Sequence, residues 1–351
     1  MLCNDLHTSL SDFISRYARE QICVVADKAV MANHLWTTAC ADLPCLVLEI
    51  DEAHKSLETV QHIWDFFFAQ GLTRSGLVIC IGGGVLTDIA GFAASTYKRG
   101  IGYIAIPTTL LAMVDASSGG KTGINYHGLK NSIGAFAAPI ETLICPEWLQ
   151  TLPAKEMLSG FGEMLKTGLI HSNRLWSKLL QLDLGTMDIK ELTPLIDACV
   201  HAKEEIVKQD PKESGLRKVL NFGHTFGHAL EEISLVEKRL PEQTVLQHSG
   251  LLHGYAVVYG LIAELYLSVT RLGCPKEPLQ QLTQIMLHYY GKPECKCSDR
   301  ERLIALMHAD KKNERAADIN CTLIKAVGSP VINQVITHDD AVEALDYLFS
   351  L

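Results

Sequence analysis

From the N-terminus to about residue 150, short apolar runs rich in β-branched side chains alternate with segments of helical periodicity. The apolar runs are predicted strands, and they read "ICVVAD", "PCLVLEI", "GLVICIGGG" and "IGYIAIPTT". The segments "SLETVQHIWDFFFAQGL" and "VLTDIAGFAASTY" are predicted helices, and the first of them ends in glycine, as helices tend to. Strands and helices in alternation indicate a mainly parallel sheet covered on both faces.

After Pro153 the pattern becomes mostly helical, with one β-like stretch, "INCTLIKAVGSPVINQVI", near the end. The predicted helices are "AKEMLSGFGEMLKTGLI", "TPLIDACVHAKEEIVKQD", "GHTFGHALEEIS", "GYAVVYGLIAELYLSVTRLG" and "QQLTQIMLHYYG". We therefore predict an α/β domain with a Rossmann-like, mainly parallel sheet over residues 1–152 and a mostly α-helical domain over residues 153–351. The polar segment "SLVEKRLPEQTVLQHSGLL" contains a proline and is predicted to be a surface loop.

The composition is ordinary for a soluble globular protein, with 48% apolar and 20% charged residues in 351. A net charge of −9 provides no broad basic field for nucleic acid or an anionic membrane, so an anionic substrate requires a local cluster of cations. No run approaches the ~18 apolar residues of a membrane span, and the start "MLCNDLHTSLSDF" does not resemble a signal peptide. Eleven scattered cysteines, an odd number, fit a reducing cytoplasm. The close pair Cys295 and Cys297 matches no common zinc-ribbon spacing.

A glycine turn, "ICIGGGVLTD", joins a predicted strand directly to a predicted helix. Glycines let the backbone approach a pyrophosphate, and a helix N-terminus favours negative charge. Thr87 stands where the dinucleotide fingerprint has its third glycine, so a tight βα turn without a ligand is an equal alternative. Thr108 and Thr109 end the next strand, at the edge where parallel sheets bind ligands, and this favours the first interpretation.

A second glycine-rich segment, "VDASSGGKTGIN", is not a nucleotide-hydrolysing P-loop, because Asp115 stands where that motif requires glycine. It is predicted to be a flexible turn carrying Lys121, followed closely by Lys130 and Asn131. Two lysines and an amide beside such a turn suit a phosphate or another small anion. Solvated surface lysines are the alternative.

Acidic, basic and histidine side chains recur in the helical half. Glu163 and Lys166 are three residues apart, which suits either an intrahelical salt bridge or part of a site. His224 and His228 share a helix face, and His253 begins another apolar helix. One glutamate with two or three histidines from separate helices makes a zinc-type site, although a lone histidine is more often a core residue.

Taken together, these segments resemble the 3-dehydroquinate synthase family. The matching motifs run in order from about residue 50 to 313 and are "GGGVLTDIAGFAASTYKRG", "IPTTLLAMVDASSGGKTGIN", "LSGFGEMLKTGLI", "LRKVLNFGHTFGHALE", "LLHGYAV" and "DKKN". The resemblance implies an N-terminal NAD-binding domain, a helical C-terminal domain, a homodimer and a divalent metal, zinc or cobalt. It also implies conversion of 3-deoxy-D-arabino-heptulosonate 7-phosphate to 3-dehydroquinate and phosphate.

The resemblance places the metal ligands on Glu163, His224 and His253, and it places His228 at the substrate as a hydrogen-bond or proton-relay partner. The interval between the two histidine ligands is long, so residues 234–250 look like an outward insertion. His248 within that insertion is a rival third ligand that lacks the "HG" context. Tyr255 stands where many members carry an acid.

The remaining implied residues contact NAD or the substrate. The NAD contacts are Glu52, Lys55, Gly83, Gly84, Val85, Asp88, Thr108, Thr109, Lys121, Lys130, Trp148 and Thr151. The substrate phosphate meets Lys121, Asn131, Lys166 and either Lys311 or Lys312, with Arg99 reaching across a dimer interface. Lys203 and Arg217 meet the substrate carboxylate, and Asp115 and Asn221 hold hydroxyl groups.

Three other functions compete with this one. A sibling sugar-phosphate cyclase would make a cyclitol from a sugar that lacks the carboxylate for which Lys203 and Arg217 are suited. A metal-dependent NAD polyol dehydrogenase would release NADH and would not need the cluster of lysines and arginine. A binding or regulatory protein with the same fold would not need a suitable polar residue at every polar position of the site.

Overall fold

The computed structural model describes residues 1–3, 5–39, 42–117, 119–127, 129–236, 250–309 and 318–351. Most of the predicted loop at 234–250, with His248, lies outside these ranges, and so do Lys311 and Lys312 of the "DKKN" motif. The chain divides into two compact units, Met1–Met157 and Leu158–Leu351.

The first unit is built around a parallel sheet. Its strands are β1 (Ile22–Asp27), β2 (Cys45–Leu48), β3 (Leu77–Gly82), β4 (Gly102–Pro107), β5 (Lys121–Tyr126), β6 (Leu129–Phe136) and β7 (Glu141–Thr142). Its helices are α1 (Leu6–Ile14), α2 (His34–Ala39), α3 (Leu57–Ala69) and α4 (Gly84–Thr96). Every strand and helix predicted from the apolar pattern of this half is present.

The sheet order creates a natural crevice. Five strands pair in the order β2-β1-β3-β4-β7, and each adjacent pair is parallel. The order reverses between β1 and β3, and ligands bind outside the carboxyl ends of the strands at such a switch point. Strands β1, β3 and β4 are almost continuously buried, because they are apolar on both faces. The Rossmann-like, mainly parallel sheet is therefore confirmed.

The segment after Asp115 differs from the prediction. Gly119 and Gly120 have positive φ and form the turn, but Lys121 is already the first residue of β5. Strand β5 pairs with β6 in an antiparallel hairpin. The pairing places Ile124 fully in the core, which orders this stretch. The flexible turn is therefore shorter than predicted, and Lys121 is carried by a strand.

The second unit is mostly helical, as predicted. Its helices are α5 (Ala154–His171, whose first turn belongs to the first unit), α6 (Asn173–Gln181), α7 (Ile189–Gln209), α8 (His224–Val236), α9 (His253–Leu272), α10 (Glu277–Ile285), α11 (Arg300–His308) and α12 (His338–Ser350). The predicted β-like stretch forms an antiparallel hairpin of β8 (Ile319–Ile324) and β9 (Pro330–Ile336).

Glycines let three helices of this unit approach one another closely. A Cβ at Gly260 of α9 would collide with the carbonyl oxygen of Gly223, just before α8. A Cβ at Gly227 of α8 would lie 2.9 Å from the carbonyl oxygen of Ala256 on α9, and one at Gly162 of α5 would lie 2.5 Å from that of Gly254. The backbones are therefore nearly in contact at these crossings.

Helix α9 is the centre of the unit. The sequence-based expectation that no run approaches a membrane span does not hold for it by length and composition: among the described residues it is the single helix long and apolar enough, but 67% of the relevant window is buried inside the protein. It contacts α8, α12 and β8. Because its apolar surface is covered on several sides, we interpret it as a core helix.

Candidate functional site

The glycine crossings bring three potential metal ligands together. Glu163, His224 and His253 each offer one ligand atom, and these atoms lie within 4.8 Å of one another. Glu163 Oε1 is 3.5 Å from His224 Nε2 and 3.3 Å from His253 Nε2. Each ligand has a glycine as its neighbour in the chain. The glycines that allow the backbones to approach closely therefore also bring the ligand atoms close together. One carboxylate and two imidazoles suit zinc or cobalt.

His228 lies beside this group, although it does not belong to it. Its ring centroid is 5.2 Å from that of His224, one turn earlier on α8, and 6.2 Å from that of His253. The shared helix face expected for His224 and His228 is therefore present. An imidazole at this distance can exchange a proton with a molecule held at the three ligands.

Opposite charges surround the buried carboxylate. The Lys166 ammonium forms an ion pair with Glu163, and both side chains are only 1% exposed. The salt bridge considered above is therefore formed, and it shares its carboxylate with the ligand group. Burial of the His253 ring opposes its protonation, but hydrogen bonds to Glu163 and Glu231 outweigh that effect and raise the pKa of His253 to about 10. Negative potential at this position also favours a divalent cation.

A tight loop before α8 carries the predicted carboxylate-binding arginine. The Asp210 carboxylate accepts hydrogen bonds from the backbone N–H groups of Gly215, Arg217 and Ser214 at 2.7, 3.0 and 3.0 Å. These bonds lower the pKa of Asp210 to about 2, against a smaller effect of desolvation. Arg217 is 2% exposed, and its Nη1 donates to Pro211 O at 2.8 Å. The loop thus holds a buried guanidinium in place.

Asn221 and Lys203 lie on neighbouring elements. Asn221 ends the 3₁₀ segment Leu216–Asn221, and its Nδ2 donates to Glu213 Oε1 at 2.9 Å. On α7, burial raises the pKa of the Cys199 thiol, on which Lys166 and Glu163 also act electrostatically. Lys203, one turn after Cys199, shares that face of α7 and is 6% exposed.

In the first unit, the predicted glycine turn lies at the carboxyl end of β3, next to the switch point. Gly83 is the N-cap of α4, and Gly84 with Val85 begins its first turn. A Cβ at Gly83 would lie 3.2 Å from Thr109 Cγ2, and one at Gly84 would lie 2.8 Å from Ala116 Cβ. A side chain at either glycine would crowd these neighbours, and a helix N-terminus such as that of α4 favours an anion.

A charged cluster adjoins this turn. Lys55 Nζ pairs with Asp88 Oδ2 at 2.6 Å, with the two side chains 5% and 19% exposed. Asn125 of β5 donates its Nδ2 to Glu52 Oε1 at 2.8 Å, and its backbone N–H donates to Lys55 O at 2.8 Å. Asp88 and Lys121 also line a small cavity beside this pair. The hairpin that carries Lys121 therefore lies beside three predicted NAD contacts, Glu52, Lys55 and Asp88.

The other predicted residues of this unit lie at several places. The Thr108 N–H donates to Gly82 O at 3.0 Å, while Thr109 Oγ1 accepts from Ala112 N at 3.2 Å. Asp115 lies in the π-helical turn Ala112–Ala116, a feature frequent at functional sites. Trp148 is buried, and Thr151 Oγ1 accepts from Asn33 Nδ2 at 3.1 Å.

Three further residues were predicted to bind an anion. Two of them lie on the β5–β6 hairpin, and the third lies at the far end of α4 from the glycine turn. Lys130 and Asn131 belong to β6, and Asn131 is exposed with a positive φ. Arg99 is exposed just beyond the C-terminal end of α4, whose 13 residues separate it from Gly84. A helix of this length spans about 20 Å, so the first unit does not bring its own Arg99 to the glycine turn.

Sequence reasoning missed several polar residues at the two sites. Asp27 ends β1 at the switch point, and burial raises its pKa. An acid at the end of an apolar strand was the signal for it. Glu231, seven residues after His224, and Glu264 in the middle of α9 both contact the ligand region. Helical spacing could have found Glu231, whereas Glu264 acts across a helix crossing that the sequence does not reveal.

Solved structures define the class of protein. The fold matches 2-epi-5-epi-valiolone synthase from Streptomyces hygroscopicus, with NAD⁺ and Zn²⁺ bound, at a TM-score of 0.82 and 27% identity, covering 100% of this chain and 96% of that one. It also matches 2-deoxy-scyllo-inosose synthase, complexed with carbaglucose-6-phosphate, NAD⁺ and Co²⁺, at a TM-score of 0.80 and 22% identity, covering 96% and 94% of the two chains. The architecture is that of the sugar-phosphate cyclases.

Within that class, sequence comparison identifies the family. Residues 45–159 match the N-terminal 3-dehydroquinate synthase model, and residues 160–313 match the C-terminal one. The 3-dehydroquinate synthase of Parabacteroides distasonis is 40% identical over 351 aligned residues, which cover 99% of this chain and 96% of the relative. The chain belongs to the 3-dehydroquinate synthase family.

Proposed function

We propose that this chain catalyses the 3-dehydroquinate synthase reaction of the shikimate pathway, which leads to aromatic amino acids. The substrate is 3-deoxy-D-arabino-heptulosonate 7-phosphate, and the products are 3-dehydroquinate and phosphate. The steps are transient oxidation at C5, β-elimination of phosphate, re-reduction, ring opening and an intramolecular aldol closure, so the enzyme is a carbon–oxygen lyase. The observation that carries the proposal is the group of Glu163, His224 and His253, two of them buried, in a chain 40% identical to a 3-dehydroquinate synthase along its length.

The residues present fit a divalent metal and NAD. Glu163 faces two imidazole nitrogens within 3.5 Å, which is a donor set for zinc or cobalt. The α4 N-terminus and the Lys55–Asp88 pair fit the pyrophosphate and ribose of a dinucleotide. When bound, the metal supplies Lewis acidity toward a substrate hydroxyl, and NAD⁺ supplies a hydride acceptor that is regenerated in each cycle.

The helical unit recognises and orients the substrate. His228 accepts and returns a proton at the substrate, because its ring lies beside the ligand group without belonging to it. Lys203 and Arg217 hold the carboxylate, and Asn221 holds a hydroxyl group. These groups are buried or half-buried, where hydrogen bonds to an anion are stronger than in water.

Cations neutralise the phosphate that leaves. The proposed phosphate contacts are Lys121, Asn131, Lys166 and either Lys311 or Lys312, with Arg99 supplied by a second subunit. Asp115 holds a hydroxyl group. Because the net charge is −9, this cluster must attract a phosphorylated keto-acid sugar locally. The proposed NAD contacts are Glu52, Lys55, Gly83, Gly84, Val85, Asp88, Thr108, Thr109, Lys121, Lys130, Trp148 and Thr151.

We place the enzyme in the cytoplasm as a homodimer. The position of Arg99, far from the glycine turn of its own unit, supports contribution from a partner. Hairpin β5–β6 also exposes Tyr126, Leu129 and Phe136, with exposed fractions of 46%, 66% and 62%, and such side chains suit a subunit contact.

Phosphate release by the purified protein tests the proposed substrate. The protein receives catalytic NAD⁺, zinc and either the heptulosonate phosphate or sedoheptulose 7-phosphate. Release from the heptulosonate alone is expected, because Lys203 and Arg217 suit its carboxylate. Release from sedoheptulose 7-phosphate alone would instead assign the chain to the cyclitol-forming cyclases, which the similarity to the valiolone synthase makes the second candidate.

A further inference from the structure

The helices α8 and α9 each carry one proposed histidine ligand and one buried or largely buried acid that the proposed reaction does not use. His224 and Glu231 belong to α8, while His253 and Glu264 belong to α9. Neither acid belongs to the group of three ligands. Buried ionisable groups are costly unless they are paired, so both acids call for an explanation.

Glu264 holds the start of α8. It is 0% exposed, and its Oε2 accepts from Gly223 N at 2.7 Å while its Oε1 accepts from Thr225 N at 3.1 Å. These two N–H groups flank His224 at the helix N-terminus, where the partial positive charge of the helix stabilises a carboxylate. The contact between His224 Nδ1 and Phe222 O at 3.2 Å assigns the proton to Nδ1 and leaves Nε2 facing Glu163.

Glu231 contacts the ring of His253 directly. Its Oε2 is 3.2 Å from His253 Nδ1, and its side chain is 12% exposed. The other ring nitrogen, Nε2, is 3.3 Å from Glu163 Oε1. A carboxylate on the far nitrogen of a metal-binding histidine fixes the orientation and tautomer of its ring.

We propose that Glu231 and Glu264 are reciprocal positioning residues: the acid of each helix fixes the histidine ligand carried by the other. Movement of α8 relative to α9 would break both pairs of contacts together, so the helix crossing and the ligand geometry are maintained jointly. The proposal rests on the metal site proposed above. Its consequence is that metal affinity depends on two acids that do not coordinate the ion.

Metal affinity, measured by chelator competition with Zn²⁺, tests the proposal. Glu231→Ala removes the acceptor for His253 Nδ1 and should weaken zinc binding by about 10–100-fold. Glu231→Gln keeps an acceptor oxygen and loses only the charge, so its loss should be smaller. Glu264→Gln leaves one of the two N–H groups facing an amide NH₂, and it should also weaken binding by about 10–100-fold.

Glu232→Gln is the matched control, since Glu232 is the next residue on α8 and the charge change is the same. It should bind zinc as wild type does. The visible spectrum of the Co²⁺-loaded protein gives a second readout, because displaced histidine ligands alter it whereas a purely structural defect does not. Melting of the metal-free proteins establishes which variants are folded, and Glu231→Ala decides the matter if Glu264→Gln does not fold.

The outcomes separate the two proposals. Tight zinc binding by wild type with unchanged affinity and spectrum in folded Glu231→Ala would overturn the positioning role and leave the metal site standing. Absence of zinc binding by wild type would overturn the metal site and the positioning role with it. The expected result is weaker zinc binding in the variants of Glu231 and Glu264, with zinc binding unchanged in Glu232→Gln.

Discussion

At the scale of single residues, the proposed reaction depends most on Glu163. It is almost fully buried, pairs with Lys166 and faces both histidine ligands. One carboxylate therefore links the metal group to the proposed phosphate contact. A substitution of Glu163 should therefore affect both metal binding and the proposed phosphate contact.

Glu163→Ala and His224→Ala should each abolish activity because they remove a ligand. Their affinity for zinc should fall by more than the roughly 10–100-fold that loss of a supporting hydrogen bond costs, so little zinc should remain after purification. Metal analysis and turnover are the measurements. Full zinc content in either folded variant would exclude that residue as a ligand.

His228→Ala should behave differently, since His228 lies beside the ligand group. The variant should keep its zinc, while kcat falls by about 10²–10⁴-fold, the usual contribution of a positioned acid or base. Equal turnover in wild type and His228→Ala would contradict the proton-transfer role. Loss of zinc would make it a ligand instead.

Lys121→Ala should raise KM for the sugar phosphate far more than it raises the dissociation constant for NAD⁺. Lys121 is exposed at the start of β5 and lines the cavity beside Asp88, so it can reach an anion. Steady-state kinetics and NAD⁺ titration measure the two effects. An unchanged KM would count against the phosphate contact.

At the scale of elements, the crossing of α8 and α9 determines where two ligands lie. Gly260→Ala places a methyl group against the carbonyl of Gly223, and overpacking of this kind costs about 1–3 kcal/mol. Denaturant unfolding measures the loss, and zinc affinity should fall with it. Thr270→Ala, an exposed change on the same helix, should alter stability by less than about 0.5 kcal/mol. Equal stability of the two variants would contradict the close crossing.

The stability of the loop that carries Arg217 should depend on pH, because Asp210 titrates. Hydrogen bonds to the folded carboxylate lower its pKa to about 2, below the value of about 3.9 expected in the unfolded chain. Its stabilising contribution is therefore present above about pH 4 and is lost as pH falls toward 2. Asp210→Asn should be less stable than wild type at neutral pH, with the difference shrinking across that window. A difference independent of pH would contradict this cause.

At the scale of the whole molecule, the apolar pattern was sufficient for most of the architecture. Strands such as Ile22–Asp27 and helices such as Leu57–Ala69 have strong local periodicity, so both were predictable. The β5–β6 hairpin was not, because its sequence is rich in glycine and polar residues and its order comes from pairing and from burial of Ile124.

The same distinction applies to the site. Motifs predicted the grouping of Glu163, His224 and His253, which the structure displays. Glu264 was not predictable, because it acts on α8 across a glycine crossing that only the folded chain creates. The catalytic and binding roles assigned to the surrounding lysines, Arg217 and Asn221 stay predictions.

The balance of NAD tests the central proposal most directly. The protein is supplied with zinc, excess heptulosonate phosphate and NAD⁺ below the enzyme concentration, and phosphate, 3-dehydroquinate and NADH are followed together. We predict many equivalents of phosphate and 3-dehydroquinate for each NAD⁺, with no accumulation of NADH. NADH formed in proportion to substrate consumed, without phosphate release, would contradict the cyclase reaction and indicate a dehydrogenase.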